Sequence, residues 1–100
     1  MDDRTLLRTA ADRLDQLAGR STPGDWRTGG LLATRPEVIA HRDDRTEHVA
    51  EARSGTAAWI SALSPALGRP LANWLRAAAE ADEVEPAAIT VARLLLERLP

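Results

Sequence analysis

A chain of 100 residues supports one hydrophobic core, so we expect a single domain over residues 1–100. All 13 basic residues are Arg, and the 15 acidic residues bring the formal net charge to −2, which excludes a sequence-wide attraction to nucleic acid or to an anionic membrane. The absence of Cys excludes disulfides, thiolate metal sites and cysteine nucleophiles, and the acidic start is unlike a basic targeting segment. We therefore expect a small cytoplasmic protein.

Residues 3–19 carry the pattern of an amphipathic helix. Their apolar side chains recur at spacings of three and four, and charged side chains fill most other positions. Asp2 or Asp3 can cap the first turn by accepting hydrogen bonds from free backbone N–H groups, and Gly19 can end the helix in a left-handed conformation.

A turn follows this helix at residues 21–25. Pro23 fixes φ and Gly24 permits a positive φ, so the helix cannot continue through them. Trp26 comes directly after the turn. We expect its ring to fold back onto the first helix as a structural anchor, with the indole N–H near solvent or a carbonyl.

Residues 26–53 predict short antiparallel strands. Short apolar runs lie at residues 31–33 and 38–40, with Gly29-Gly30 as a tight turn before the first of them. A third strand is predicted from Glu47 to Ala52, after a polar turn. The expected arrangement is a meander of two or three strands with one face free to pack on helices.

The helical pattern returns after residue 55 and predicts helices at about 56–63, 65–81 and 86–99. Ser64 is a suitable N-cap with Pro65 at the first helical position, and Pro70 predicts a kink or a later start of the regular helix. The predicted fold class is α+β, with an N-terminal amphipathic helix, a small antiparallel two- or three-stranded meander, and two or three C-terminal helices packed on one face.

Three Trp residues are the only aromatic side chains in the chain. Trp59 and Trp74 lie on apolar helical stripes, so we expect both to fill the core as structural anchors beside Trp26, rather than to form a ligand cage. The final helix carries more apolar residues than one packing surface needs. Its excess predicts an interface that a C2 dimer would cover, formed by Ile89, Val91, Leu94 and Leu95.

Two stretches of the chain resemble a known group of proteins. Thr22-Pro23-Gly24-Asp25-Trp26 is similar to the Thr-Pro-Gly-Pro-Trp signature of small Ead-like proteins of phages and prophages and of related short actinobacterial proteins. Residues 57–65 and 71–75 are similar to that group's aromatic-Ile-x-x-x-x-Pro helix segment and to the Leu-rich helix behind it. The sequence departs from the group's pattern at three positions, Asp25, Thr56 and Ser61, where Pro, Asp and Ala are usual.

The resemblance implies a first helix, a variable β middle and closing helices. It also implies an accessory role in a mobile element. The group carries no catalytic residues that could be transferred to this chain.

His41 and His48, with the acidic residues beside them, are the one cluster with metal-ligand chemistry. A site would form if the turn at Asp43-Asp44 brought the two imidazoles together, with Glu47 as a further ligand. The spacing matches no short metal motif, so we favour a solvated polar turn and expect no metal and no cofactor. A small-molecule binder or small enzyme around the two His residues is kept as an alternative.

Catalytic motifs are missing from the sequence. The serines at 21, 54, 61 and 64 fit turns, caps or a helix face, and Gly29-Gly30 is not part of a phosphate-binding loop. We therefore predict that the protein is not an enzyme.

Nucleic-acid binding would depend on Arg residues on one face of the β middle. The candidates are Arg27, Arg35, Arg42, Arg45 and Arg53. Residues 21–53 nevertheless carry a net charge of −1 and no aromatic side chains between these Arg residues, which favours an ion-paired surface. A small DNA-associated regulator remains an alternative. The main hypothesis is a non-enzymatic phage or prophage accessory protein that acts through a protein partner or a homodimer.

Overall fold

The structure is a computed structural model and describes residues 1–30 and 35–100. The elements, in chain order, are α1 (Asp3–Arg20), β1 (Asp25–Gly29), β2 (Glu37–Arg42), β3 (Arg45–Glu51), α2 (Ser54–Ala62), a 3-10 helix at Pro65–Leu67, α3 (Gly68–Glu80) and α4 (Pro86–Arg98). The predicted α+β class and the order of helix, antiparallel sheet and closing helices are confirmed. The chain divides into two units: a helical unit of residues 1–20 and 67–100, and a β unit of residues 21–66.

The core of the helical unit is built mainly from alanine. Leu7 and Leu75 are its large, fully buried side chains, and the other buried members are Ala10, Ala11, Ala72, Ala79, Ala88 and Ala92. Small side chains allow helix axes to approach at the short end of the usual 8–10 Å range. A close approach of α1 and α3 is shown at Gly68, where an added Cβ would lie 2.6 Å from the Cβ of Ala18.

This close approach makes a prediction about Gly68→Ala. The new methyl group has to displace Ala18 or separate α1 from α3, so we expect the variant to lose about 1–2 kcal/mol of unfolding free energy, in the range of other overpacked cores. Gly19→Ala is the matched control, because an added Cβ there meets nothing within 4 Å. Urea unfolding followed by far-UV circular dichroism measures both. Equal stability of the two variants would show that α1 and α3 are not in tight contact at Gly68.

Polar contacts hold the ends of the helices. Asp2 caps α1 as expected, since its Oδ1 accepts from the backbone N–H of Thr5 at 2.8 Å, and this hydrogen bond lowers the pKa of the Asp2 carboxyl. Arg4 donates from Nη1 to the carbonyl oxygens of Ala79, at 2.5 Å, and Ala81, at 2.7 Å. A cation bound to the last carbonyls of a helix is favourable, because those groups carry the negative end of the helix dipole.

Three ion pairs join α1 to α3. Arg8 Nη2 lies 2.7 Å from Glu80 Oε1, and this hydrogen bond lowers the pKa of the Glu80 carboxyl. Arg76 contacts Asp12 at 2.9 Å and Asp15 at 2.8 Å, and hydrogen bonds to both raise the pKa of its guanidinium. Arg8, Asp12 and Glu80 are exposed, and Asp15 and Arg76 are half-buried, so we expect these pairs to orient the helices more than to stabilise them.

Some of the excess apolar residues on α4 pack inside the helical unit. Val91, Leu95 and Leu96 pack against its core, which corrects the prediction that Val91 and Leu95 belong to an uncovered strip. Ile89 is half-buried, while the side chain of Leu94 is 46% exposed. Of the four residues predicted to form an interface on α4, Leu94 is therefore the most exposed, and the dimer stays a prediction.

The β unit contains a three-stranded antiparallel sheet in the order β1-β2-β3. The first strand predicted from sequence, at residues 31–33, lies outside the described residues; the structure places β1 earlier, at Asp25–Gly29. Its register runs from Asp25 opposite His41 to Gly29 opposite Glu37. Gly29 is the last residue of β1, and Gly30 has a φ of 111°. The turn predicted at Gly29-Gly30 would continue into residue 31, outside the described residues.

The two faces of the sheet differ in character. Directly paired residues share a face, so Val38, Ala40 and Trp26 lie together on an apolar face, against which α2 packs and buries Ala57. The opposite, polar face carries Asp25, Arg27, Glu37, Ile39, His41, Thr46, His48 and Glu51. The pairing of β2 with β3 skips Val49, and this β-bulge returns Ala50 to the apolar face opposite Val38.

Candidate functional surfaces

The Thr-Pro-Gly turn before β1 lies directly on the backbone of β2. Gly24 has a φ of +112°, and an added Cβ would lie 2.6 Å from the carbonyl oxygen of His41 and 3.2 Å from the Cβ of Arg42. Trp26 closes the turn, because its Nε1 donates to the carbonyl oxygen of Thr22 at 2.9 Å. The indole N–H therefore meets a carbonyl, as expected, and the half-buried ring anchors the turn within the β unit.

This turn and the β2–β3 hairpin line an open cleft of about 620 Å³, here named the hairpin cleft. Its lining consists of Pro23, Ala40 and residues 42–47. Ala40 is 2% exposed, and Arg42 and Arg45 are direct partners that flank the two-residue turn Asp43-Asp44. Asp43 adopts a φ of 53°, which is uncommon for a residue with a side chain and is suited to a tight hairpin.

Charged side chains on the polar face of the sheet are paired, and those of the hairpin cleft are not. On the polar face, Asp25 contacts Arg27 at 2.6 Å and Glu37 contacts His48 at 3.4 Å. In the cleft, Arg42 and Arg45 have no ion-pair partner within the described residues. The two Arg residues therefore keep their hydrogen-bond donors available to a ligand or to solvent.

The structure divides the cluster around the two His residues between the two faces. His41 and His48 lie on the polar face at diagonal positions of neighbouring strands, while Glu47 pairs with Ala40 on the other face. His48 is held near Glu37 instead. Across residues 1–30 and 35–100, no group of three or more His, Cys, Asp or Glu side chains is placed to hold a metal ion.

The five Arg residues proposed for nucleic-acid binding do not share one face. Arg27 lies on the polar face and is paired with Asp25, whereas Arg42 and Arg45 line the hairpin cleft. Arg35 lies 3.8 Å from Glu51, and Arg53 precedes the first turn of α2. The prediction that these Arg residues could line a single surface is wrong, because alternation along the strands separates them.

Two of the three Trp residues are exposed, which corrects the prediction that both fill the core. The side chain of Trp59 is 68% exposed on α2, and that of Trp74 is 42% exposed on α3. For Trp74 the reason is the alanine packing described above, since helices in close contact leave no space for an indole ring. On α2 the buried residue is Ala57, and Trp59 remains exposed.

Two large apolar side chains at the C-terminal end of α2 are exposed, while Ile60 is half-buried. Trp59 and Leu63, one turn apart, are 68% and 50% exposed, with Ala62 beside them. Inward it places Ala57, Ser61 and the nearby Ser64, and the Oγ of Ser61 is buried with no hydrogen-bond partner in the described residues. Trp59, Ala62 and Leu63 are named the outer face of α2.

Sequence reasoning missed this surface, although a signal was present. Residues 54–68 contain no charged side chain, in a chain in which 28% of residues are charged. An uncharged run of that length, with several of its large apolar side chains exposed, is typical of a contact surface.

Among the described residues, no helix has the combination of length and hydrophobicity that crossing a bilayer requires. The Ead-like resemblance remains an expectation from the two motifs that carry it. Comparisons with protein-family models, with curated proteins and with solved structures gave no match.

Proposed function

We propose that the protein is a non-enzymatic interaction protein that inserts the outer face of α2 into an apolar groove of a second protein. The observation that carries this proposal is the 68% exposure of Trp59 on a helix face without charge. An exposed Trp with an apolar neighbour one turn away matches the anchors of helix-in-groove recognition, in which Trp is often an energetic hot spot.

The size of the face favours a groove on a different protein over a second copy of this chain. Helix α2 is nine residues long. A stable dimer of flat surfaces buries about 800 Å² on each partner, more than one face of so short a helix provides. A groove that surrounds Trp59 and Leu63 needs less area, and the absence of charge on this segment requires the groove to be apolar.

The biological setting is proposed from the resemblance. An accessory role for a phage or prophage in the cytoplasm agrees with the Thr-Pro-Gly-x-Trp turn and with the helix segment that contains Trp59. In that setting the partner would be a host or phage protein. The proposed contact does not depend on which of the two it is.

A photo-crosslinking experiment tests the contact and yields the partner. The photoreactive residue p-benzoylphenylalanine is placed at position 59 or, as a control, at position 74, and cells of the native host are irradiated. We expect a defined crosslinked product from position 59 and not from position 74. The crosslinked protein is then purified and its affinity for the wild-type chain is measured by titration.

Matched Trp→Ala variants decide whether the contact is specific. Trp59→Ala should weaken binding to the purified partner at least tenfold, as is usual for a hot-spot Trp, and Leu63→Ala should weaken it less. Trp74→Ala should bind like wild type. Because Trp59 is exposed, its replacement should change the unfolding free energy by no more than about 0.5 kcal/mol. Equal binding by Trp59→Ala and wild type, or a crosslink from position 59 to a second copy of the chain, would contradict the proposal.

A further inference from the structure

The hairpin cleft contains an electrostatic arrangement that folding alone does not favour. Arg42 and Arg45 are direct cross-strand partners on one face of the sheet. Like charges directly opposite each other destabilise a strand pair. Neither guanidinium forms an ion pair with any described residue, although Arg27 and Arg35 of the β unit each have an acidic partner.

The two Arg side chains provide donors for an oxyanion. Each guanidinium has five N–H donors in a planar fork, which matches two oxygens of a carboxylate or phosphate. Neither the Arg42 side chain nor the Arg45 side chain makes a hydrogen bond within the described part of the chain. An oxyanion bound between the two guanidinium groups would offset the electrostatic repulsion between them.

The acidic residues of the cleft restrict what this anion can be attached to. Asp43, Asp44 and Glu47 line the same cleft, and they too have no ion-pair partner there. Three carboxylates beside two guanidinium groups repel a polyanion such as nucleic acid. They attract a ligand that carries one cationic group as well as one oxyanion.

The uncharged residues that line the cleft are Pro23, Ala40 and Thr46. Ala40 lies at its base, and Pro23 forms a wall because Gly24 allows the turn to approach β2 so closely. The cleft volume of about 620 Å³ lies within the range of small-molecule sites. From these observations we infer that the hairpin cleft binds a small zwitterion, with the oxyanion held between Arg42 and Arg45 and the ammonium group held by the carboxylates.

Titration of the 15N-labelled protein by NMR tests this inference. The probes are O-phosphoethanolamine and β-alanine, which combine an ammonium group with a phosphate or a carboxylate, together with inorganic phosphate and ethanolamine. We expect saturable shifts of the Ala40 and Thr46 amide signals and of the Arg42 and Arg45 Nε signals with at least one zwitterion. The stronger of the two zwitterions identifies the oxyanion.

Two variants distinguish a site from a general charge effect. Arg42→Gln with Arg45→Gln should weaken the binding of the zwitterion at least tenfold and leave the melting temperature unchanged or higher, because the like-charge repulsion is removed. Arg27→Gln, which lies on the polar face, should bind like wild type. Failure of both zwitterions to bind, binding of inorganic phosphate as tight as that of the zwitterion, or unchanged binding by the double variant would each overturn the inference. None of these outcomes bears on the contact made by α2.

Discussion

Gly24→Ala is expected to destabilise the β unit by about 3 kcal/mol, which is a large part of the stability of a small unit. Two costs add at this position. A residue with a side chain is strained at a φ of +112°, and the new methyl group would lie 2.6 Å from a backbone oxygen of β2, which cannot move without breaking the sheet. The turn would then separate from the hairpin, and the wall of the hairpin cleft formed by Pro23 would be lost.

The fluorescence of Trp26 measures this effect inside the β unit. Replacing the two exposed indoles, Trp59→Phe and Trp74→Phe, leaves Trp26 as the single reporter during urea unfolding. Gly55→Ala is the matched control, because an added Cβ there meets nothing within 4 Å and Ala is favoured over Gly in a helix. The control should be as stable as the parent or more stable by up to about 1 kcal/mol. If Gly24→Ala matched the control, the close approach of the turn to β2 would be wrong.

Leu75→Ala should have the largest effect in the helical unit, about 3–4 kcal/mol. Leu75 is fully buried among alanines of the three helices of that unit. Alanine neighbours are too short to refill the space left by a deleted isobutyl group, so most of the cavity should remain, and residual cavity volume raises the cost.

A second Leu→Ala exchange provides the comparison. Leu94 lies on α4 with its side chain 46% exposed, and Leu94→Ala should change the unfolding free energy by no more than about 0.5 kcal/mol. Urea unfolding followed by circular dichroism at 222 nm measures both variants. A loss at Leu94 as large as that at Leu75 would contradict the assignment of the core.

The helices could be predicted from the sequence because the residues that signal each helix lie close together in the chain. The periodicity of residues 3–19, the cap at Asp2 and the Pro at the start of α4 each depend on neighbours within one or two turns. The end of α1 was predicted less well. Gly19 does not adopt a positive φ, and the helix continues to Arg20.

The first strand and the burial of Trp59 and Trp74 could not be read from the sequence, since both depend on distant residues. Within β1, Trp26 is the one large apolar side chain, and the strand is defined by pairing with β2 and by the turn at Gly24. The exposure of Trp74 follows from how closely the alanine-lined helices of the helical unit approach each other, whereas α2 buries Ala57 and leaves Trp59 exposed. From the size of the ring alone, the sequence analysis predicted that both Trp side chains are buried in the core.

The hairpin cleft could not be predicted from the sequence for a similar reason. Alternation along a strand assigns side chains to faces only once the register is known. The bulge at Val49 shifts that assignment, because Ala50 would otherwise share the polar face with His48. The sequence analysis grouped the five Arg residues by their proximity in the chain. The register instead selects Arg42 and Arg45 as a pair.

The division of the chain has a consequence for folding during synthesis. Helix α1 is made before α3, and its packing partners in α3 follow only after residues 21–66 have been made, which takes about 2–10 s at ordinary translation rates. An isolated helix of 18 residues is marginal in water, so the stripe that includes Leu7 stays uncovered in the meantime. The β unit, continuous in sequence, has all of its own contacts available earlier. Nascent chains of this protein should therefore depend on chaperones for the first helix and not for the sheet.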